Sequence, residues 1–380
     1  MAEKVIVGAK IGEVLRLRVM HKVKQWRVLR DLEIVDDALV DQRMFNALLA
    51  TRPTPEVERW IVWYCAQLKI QPPQALASAA QWSAIRQVEA AQASGREPDL
   101  QEALLTACDV RDAGPASELL AFRIHAVVER LRGLFRLPGN WDVEQLCRSS
   151  RKAFGQGAAL VQLPGERHAA FQHLMDSTYR NIGTRDRKGA VPSGFVVHGV
   201  QEVQNVGWWK EFGQWVEALA PAAERALLPP SDAMTKQSAT AILRQAGLPQ
   251  LGGGEALLLH GTSVQSADDI ATGRFDMERR SRDGLAGPGL YFAESATKSD
   301  EYAGTDNTQL LAMLVVRVFL GKVHFCADAK PDKFALKQAV SKTRHSVLLD
   351  RVKARGTYRE FVVYDHRQCV PHFLVWYKRK

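Results

Sequence analysis

Eleven consecutive residues, Leu310-Leu311-Ala312-Met313-Leu314-Val315-Val316-Arg317-Val318-Phe319-Leu320, carry a single polar side chain, Arg317. A short run this apolar could be a buried helical segment, but its β-branched and aromatic residues favour a strand. Its surroundings read the same way. Residues 195–203 and 359–365 are rich in strand formers, residues 373–377 alternate, and 256–260 form an apolar run leading out of the flexible Gly252-Gly253-Gly254 turn. Residues 208–219 read as a helix, and so does the Ala/Thr-rich stretch 232–246 that follows the loop Pro229-Pro230-Ser231. The later part of the chain therefore predicts a mixed α and β domain with a strand-rich tail.

The first 150 residues have another texture. Thr54-Pro55 pairs a capping residue with a proline at the first helical position, and Val57, Trp60, Ile61, Tyr64 and Leu68 then form one apolar stripe. Pro72-Pro73 closes that segment, an Ala-rich stretch runs over 75–93, and Gly95-Arg96-Glu97-Pro98 reads as a turn. Leu120, Ile124, Val127, Leu131 and Phe135 make another helical stripe, ended by Pro138-Gly139. No repeat period and no catalytic constellation appears in this half.

Gly155, Gly157, Pro164, Gly165, Gly183, Gly189 and Pro192 accumulate between the two textures and mark a boundary. A chain of 380 residues is long enough for two cores. The expected division is a helical region of unreadable function over 1–150, a linker over 151–170 and a second domain over 171–380.

The formal net charge of +9 admits an acidic partner, nucleic acid or a polyphosphate, although the Lys and Arg residues are spread along the chain. Five cysteines lie far apart with no zinc-like spacing, so neither structural disulfides nor a metal site is expected. Charges interrupt every amino-terminal apolar run, and nowhere does a span of about 20 apolar residues occur. The expectation is a soluble intracellular protein, nuclear or cytoplasmic, without membrane contact.

Four separated pieces carry chemistry. They are His260-Gly261-Thr262, Gly287-Pro288-Gly289-Leu290-Tyr291-Phe292-Ala293, Lys298-Ser299-Asp300-Glu301-Tyr302, and Arg359-Glu360-Phe361-Val362-Val363-Tyr364-Asp365. Each alone is a weak motif; their joint order is informative. On a strand Glu360, Val362 and Tyr364 share one face, so the carboxylate points to a cleft while Phe361 and Val363 pack behind it.

In order and spacing these pieces resemble the catalytic domain of the poly(ADP-ribose) polymerase family, with its His-Tyr-Glu triad. The resemblance runs from about Phe171 to Lys380. It takes in Val200-Gln201-Glu202-Val203-Gln204-Asn205-Val206-Gly207-Trp208-Trp209 and the tripeptide His345-Ser346-Val347. It does not cover residues 1–150, and the short connection 275–289 is similar to compact tankyrase-type or mono-transferase members.

The resemblance implies an α+β ADP-ribosyltransferase fold, in which two packed antiparallel-rich sheets flanked by helices enclose a cleft for NAD⁺, the substrate. It implies His260, Tyr291 and Glu360 as the catalytic set. Breaking the nicotinamide–ribose bond develops an oxocarbenium-like cation that a fixed carboxylate, Glu360, would stabilise. The flat cationic nicotinamide would sit between Tyr291 and Tyr302, with Ser299 and the Gly261 backbone on its carboxamide. His260 would bond the adenosine ribose, Lys298 would be an auxiliary cation, and Arg280 in the loop over the adenosine side would contact pyrophosphate.

The implied reaction is transfer of ADP-ribose to a protein side chain or a growing ADP-ribose chain, with no metal. A mono-ADP-ribosyltransferase or NAD⁺ glycohydrolase would use the same cleft. An inactive module binding NAD⁺ or ADP-ribose, or a scaffold acting through residues 1–150, are the rivals from other classes.

Overall fold

A computed structural model of the chain describes residues 79–113, 117–150, 153–223, 233–279, 283–304, 309–342 and 344–380. The helix expected over 54–68, together with Arg280 and Arg282, lies outside these residues. The chain divides into two compact units, Met1–Leu131 and Arg132–Lys380.

In the first unit, α1 (Ala79–Ser94) and α2 (Glu97–Val110) form a hairpin. Gly95 makes the turn in the left-handed region, at φ +66°, where glycine carries no Cβ penalty. Pro98 stands in the first turn of α2, where its missing N–H removes no helix bond. The expected four-residue turn is thus two residues long, because Glu97 and Pro98 already belong to the helix. Ala84, Ile85 and Val88 of α1 and Leu100, Leu104 and Ala107 of α2 are buried. The striped residues Leu120, Ile124, Val127, Leu131 and Phe135 of α3 (Ser117–Phe135) are all buried too.

The second unit is α+β. Its strands are β1 (Ala158–Gln162), β2 (Phe195–Asn205), β3 (Glu255–Thr262), β4 (Leu290–Ala293), β5 (Leu311–Phe319), β6 (Val323–Cys326), β7 (Ser346–Asp350), β8 (Arg359–Val363) and β9 (Cys369–Arg379). The described strands form one nine-stranded sheet in the order β1-β2-β9-β5-β3-β4-β8-β7-β6, antiparallel throughout except for β6 with β7.

The expected pair of sheets is realised as two halves of this order. β3 and β4 register through one residue pair, Leu259 with Ala293, whereas β3 and β5 register along their full lengths. The halves therefore part beyond that pair, and the cleft residues stand along the seam. Residues 151–170, expected as a linker, supply β1, whose five residues all pair with β2.

Every residue of β5 is buried, as its apolar run requires. Alternate residues feed opposite faces. Leu314, Val316 and Val318 join Leu258 in a core under α6 (Val206–Ala223) and α8 (Val264–Thr272), with Trp208, Phe212, Ala267 and Ala271. Met313 and Val315 join Leu257 and Leu259 in a core under α5 (His168–Ser177) and α7 (Lys236–Gln245). A third cluster, Ala286, Cys326, Leu336, Val347, Leu349 and Val362, lies beneath α10 (Lys333–Lys342). Among the described residues no helix is long and apolar enough to cross a membrane.

The polar exception in β5 is paired. Arg317 donates to Glu255 Oε2 at 2.7 Å and to the carbonyls of Pro249 and Gln250 at 2.9 and 2.6 Å, and both side chains of the ion pair are almost fully buried. Removing one member strands the other charge. Glu255→Gln is expected to lower the unfolding free energy by about 3 kcal/mol in urea, and Arg317→Met with Glu255→Leu by clearly less than the two single losses added.

Candidate active site

Two short helices complete this unit near the cleft: α9 (Ala296–Asp300), and α11 (Arg351–Arg355), which follows β7. All five residues of α9 are buried. Asp300 anchors the helix. Its fully buried carboxylate accepts from Arg187 Nη1 at 2.9 Å, Tyr377 Oη at 2.8 Å and Arg379 Nε at 2.9 Å. The chain before β2 holds the other side of α9. Arg187 Nη2 donates to the Thr297 carbonyl at 2.6 Å, the Arg180 N–H to Thr297 Oγ1 at 2.9 Å, and Ser295 Oγ to the Thr178 carbonyl at 2.8 Å.

The His260-Gly261-Thr262 piece meets α9 without a gap. A Cβ on Gly261 would stand 1.8 Å from the Ser299 carbonyl oxygen, so only a glycine lets β3 and α9 touch here. Ser299 Oγ is buried and has no hydrogen-bond partner among the described residues. An orphaned buried hydroxyl beside a bare glycine backbone suits a ligand that brings its own donor and acceptor, as a carboxamide does.

His260, one residue earlier, lies within hydrogen-bond reach of the Tyr291 carbonyl, with Nδ1 at 2.9 Å. Burial pushes its imidazole below the usual histidine range, the carbonyl contact only partly opposing this. Burial thus favours the neutral ring. The carbonyl can only accept, so Nδ1 carries the proton and Nε2 is left as an acceptor. Phe275 packs edge-on at 5.1 Å between ring centroids.

Tyr291 is locked by the loop ahead of it. Its Oη donates to the Gly287 carbonyl and accepts from the Ala286 N–H, both at 2.8 Å, and a Cβ on Gly284 would lie 2.3 Å from that oxygen. Burial, first of all, holds this phenol protonated well above its ordinary range, and its ring remains as the available surface.

β8 delivers the last piece. Ala293 pairs with Glu360 and Tyr291 with Val362, so Tyr291 and Glu360 sit on adjacent strands, about two residues apart along them. Val362 and Tyr364 pack with Tyr291, while Phe361 and Val363 enter the core on the other face, as the alternation predicts. Glu360 is 14% exposed and lies 3.4 Å from Lys298 Nζ.

Lys298 is far from the solvated lysine usual at a helix start. It is 4% exposed, and its Nζ donates to Asp186 Oδ2 at 3.1 Å, Glu301 Oε2 at 2.8 Å and Tyr302 Oη at 3.1 Å. Burial works against its charge, but Glu360, Tyr302 and Glu301 outweigh burial and raise its pKa. Burial likewise raises the Glu360 carboxyl; Lys298 counters, while Asp186 and Glu301 add to the rise. Tyr302 is 53% exposed, and Lys298 Nζ lies over its ring, 4.9 Å from the centroid.

His260, Tyr291, Glu360, Gly261, Ser299, Lys298 and Tyr302 are thus brought to one seam. Sequence reasoning missed Asp186, Thr184 and Arg187, which stand in the Gly/Pro-rich stretch read as a boundary. Asp186 meets Lys298 across 112 positions, and no local spacing announces that. Glu301 stood in a quoted motif without a role. Among the described residues no group of three or more His, Cys, Asp or Glu side chains could hold a metal ion.

Gly261→Ala is expected to cost about 3 kcal/mol of stability in urea, because backbone rather than a movable side chain blocks the new methyl. Glu360 has the opposite sign. Folding raises its pKa, so the stability it contributes is complete below the ordinary value of 4.5 and is lost as the pH rises through the folded value. Glu360→Gln, which copies the protonated shape, should melt no lower than wild type at pH 8, with the difference closing toward pH 4 in thermal melts.

Residues 184–379 match the family model described as the poly(ADP-ribose) polymerase catalytic domain. That is slightly more than half of the chain, and it contains every cleft residue described above. The match begins within the loop that carries Asp186 and ends in β9, leaving out α1, α2, α3, α4 (Val143–Ser149), α5 and β1. With this match over a sheet and cleft of this kind, the chain belongs to the poly(ADP-ribose) polymerase catalytic-domain family, whose members are ADP-ribosyltransferases that use NAD⁺ as substrate.

Proposed function

We propose that this chain transfers ADP-ribose from NAD⁺ to a protein side chain, or to the end of a growing ADP-ribose chain, and releases nicotinamide. The observation that carries the reading is the seam itself. A carboxylate (Glu360) and an exposed phenol (Tyr302) share Lys298 there, and an orphaned hydroxyl (Ser299), next to Lys298 on the same short helix, lies in the residue that abuts the bare glycine backbone of Gly261.

In this reading nicotinamide stacks on Tyr302 beside Tyr291, and its carboxamide bonds Ser299 Oγ and the Gly261 backbone. His260 Nε2 accepts from a hydroxyl of the adenosine ribose. The bond between the nicotinamide nitrogen and the ribose C1′ breaks, and the nitrogen keeps the electron pair, so nicotinamide leaves neutral. The positive charge passes to the ribose, where the Glu360 carboxylate stabilises it. Lys298 favours the ionised form of that carboxylate and fixes its position. The acceptor oxygen then bonds C1′ and gives up its proton to solvent water. Arg280 is assigned the pyrophosphate by the same reading. No metal takes part in any of these steps.

Incubation with labelled NAD⁺ tests the proposal. Wild type should release nicotinamide and label protein, and Glu360→Gln should lose about 10²–10³ of the rate. Equal rates in the two would remove Glu360 from the chemistry. The acid limb of kcat/KM should lie above pH 4.5, because Glu360 must be ionised and its pKa is raised. Labelled product on a gel separates the outcomes: a ladder marks elongation, a single band mono-transfer, and nicotinamide release without label hydrolysis.

A further inference from the structure

Asp186 sits in a loop, Thr184-Arg185-Asp186-Arg187-Lys188, with no motif of its own. The fold nevertheless sets one of its oxygens, Oδ2, against two cleft groups, accepting from Lys298 Nζ at 3.1 Å and Tyr302 Oη at 3.0 Å. Residues on both sides pin it. Thr184 Oγ1 lies 2.9 and 2.8 Å from the two Glu301 oxygens, and Arg187 is bonded to Asp300 and Thr297. Tyr358 Oη secures the approach to the loop by donating to the Ile182 carbonyl at 2.6 Å.

The charges around the loop are interleaved. Lys298 faces three carboxylates, Asp186, Glu301 and Glu360, at 3.1, 2.8 and 3.4 Å. Arg187 is shared between Asp300 and, at 3.8 Å, Glu301, while Asp300 also pairs with Arg379. Arg185 approaches the other Asp186 oxygen only at 3.5 Å and is largely exposed to screening water. Asp186 stays ionised: partial burial works against its charge, but Lys298, Tyr302 and Arg185 outweigh it and hold the carboxyl below its usual range. With four cations (Lys298, Arg185, Arg187 and Arg379) set against four carboxylates (Asp186, Glu301, Glu360 and Asp300), Asp186 is the one hydrogen-bonded to Tyr302, and it offsets the Lys298 ammonium that lies over the Tyr302 ring 4.9 Å from its centroid.

We propose that Asp186 determines specificity in the cleft: it holds Tyr302 and Lys298 in place and supplies the negative charge by which this face prefers the cationic nicotinamide of NAD⁺ to neutral nicotinamide. The proposal rests on the function proposed above. Before its bond breaks the ring is a cation, and afterwards it has kept the electron pair and is neutral. A carboxylate near the ring therefore attracts substrate and not product, which favours product release. Removing one charge some 5–6 Å from a cation at an effective dielectric of 20–40 weakens binding by about tenfold or more.

The test is steady-state nicotinamide release by the full chain, with nicotinamide as product inhibitor, in wild type, Asp186→Asn and Asp186→Glu. Asp186→Asn should raise KM for NAD⁺ about tenfold, with kcat lowered by less than about threefold and the nicotinamide inhibition constant moved by less than about threefold. Asp186→Glu should restore most of the ratio between the two constants. The acid limb of kcat/KM in Asp186→Asn should move to lower pH, because Glu360 loses a like-charged neighbour while Lys298, Glu301, Tyr302 and Tyr291 remain around it. A purely structural role predicts instead that both constants rise by the same factor, and that result overturns the proposal while leaving the function standing. A wild-type chain that releases no nicotinamide overturns the function, and the proposal with it. If Asp186→Asn melts below the assay temperature, Asp186→Ser takes its place with the same two outcomes.

Discussion

A fully buried carboxylate, Asp300, holds the cleft together. It gathers Arg187 from the loop before β2 and Tyr377 and Arg379 from the end of β9, three groups that are distant in sequence. A buried charge is costly unless its partners are complete, and these partners are fixed by the sheet and by the loop. The five residues of α9 therefore have one place to sit. Ser299, Lys298 and, one turn on, Tyr302 are carried there with them. Gly261 completes the arrangement from the strand side, since any larger residue would hold β3 and α9 apart.

The seam between β3 and β4 follows from the same construction. β5 is buried on both faces and fixes the larger half of the sheet, while β8 ties β4 to the smaller half. With one registered pair between β3 and β4, the halves separate where a ladder would otherwise continue. His260 spans the opening by reaching the Tyr291 carbonyl. A backbone contact thus sets the tautomer of the side chain.

Glu360 shows how stability is exchanged for chemistry at such a place. Burial and two neighbouring carboxylates raise its pKa, and one ammonium resists them. A glutamine would suit the fold at least as well, but it could not answer a positive charge developing on a sugar. In the proposed reading, the acidic neighbours that raise the Glu360 pKa also draw in a cationic ring. One feature would then serve both binding and chemistry, at the expense of the resting fold.

Residue order alone determined the strands and helices with the strongest periodicity. The β5 run, the β8 alternation and the α3 stripe each state a burial pattern that one kind of element satisfies, because side-chain periodicity is a local property. It also marked His260, Tyr291, Ser299, Tyr302 and Glu360, since their motifs are contiguous. Tertiary structure alone decided that the stretch before β2 is part of the cleft rather than a boundary, that residues 151–170 add a strand, and that Lys298 is buried among carboxylates. The reason is physical: an ion pair such as Asp186 with Lys298 depends on distance in space and leaves no period, spacing or composition along the chain that joins its members.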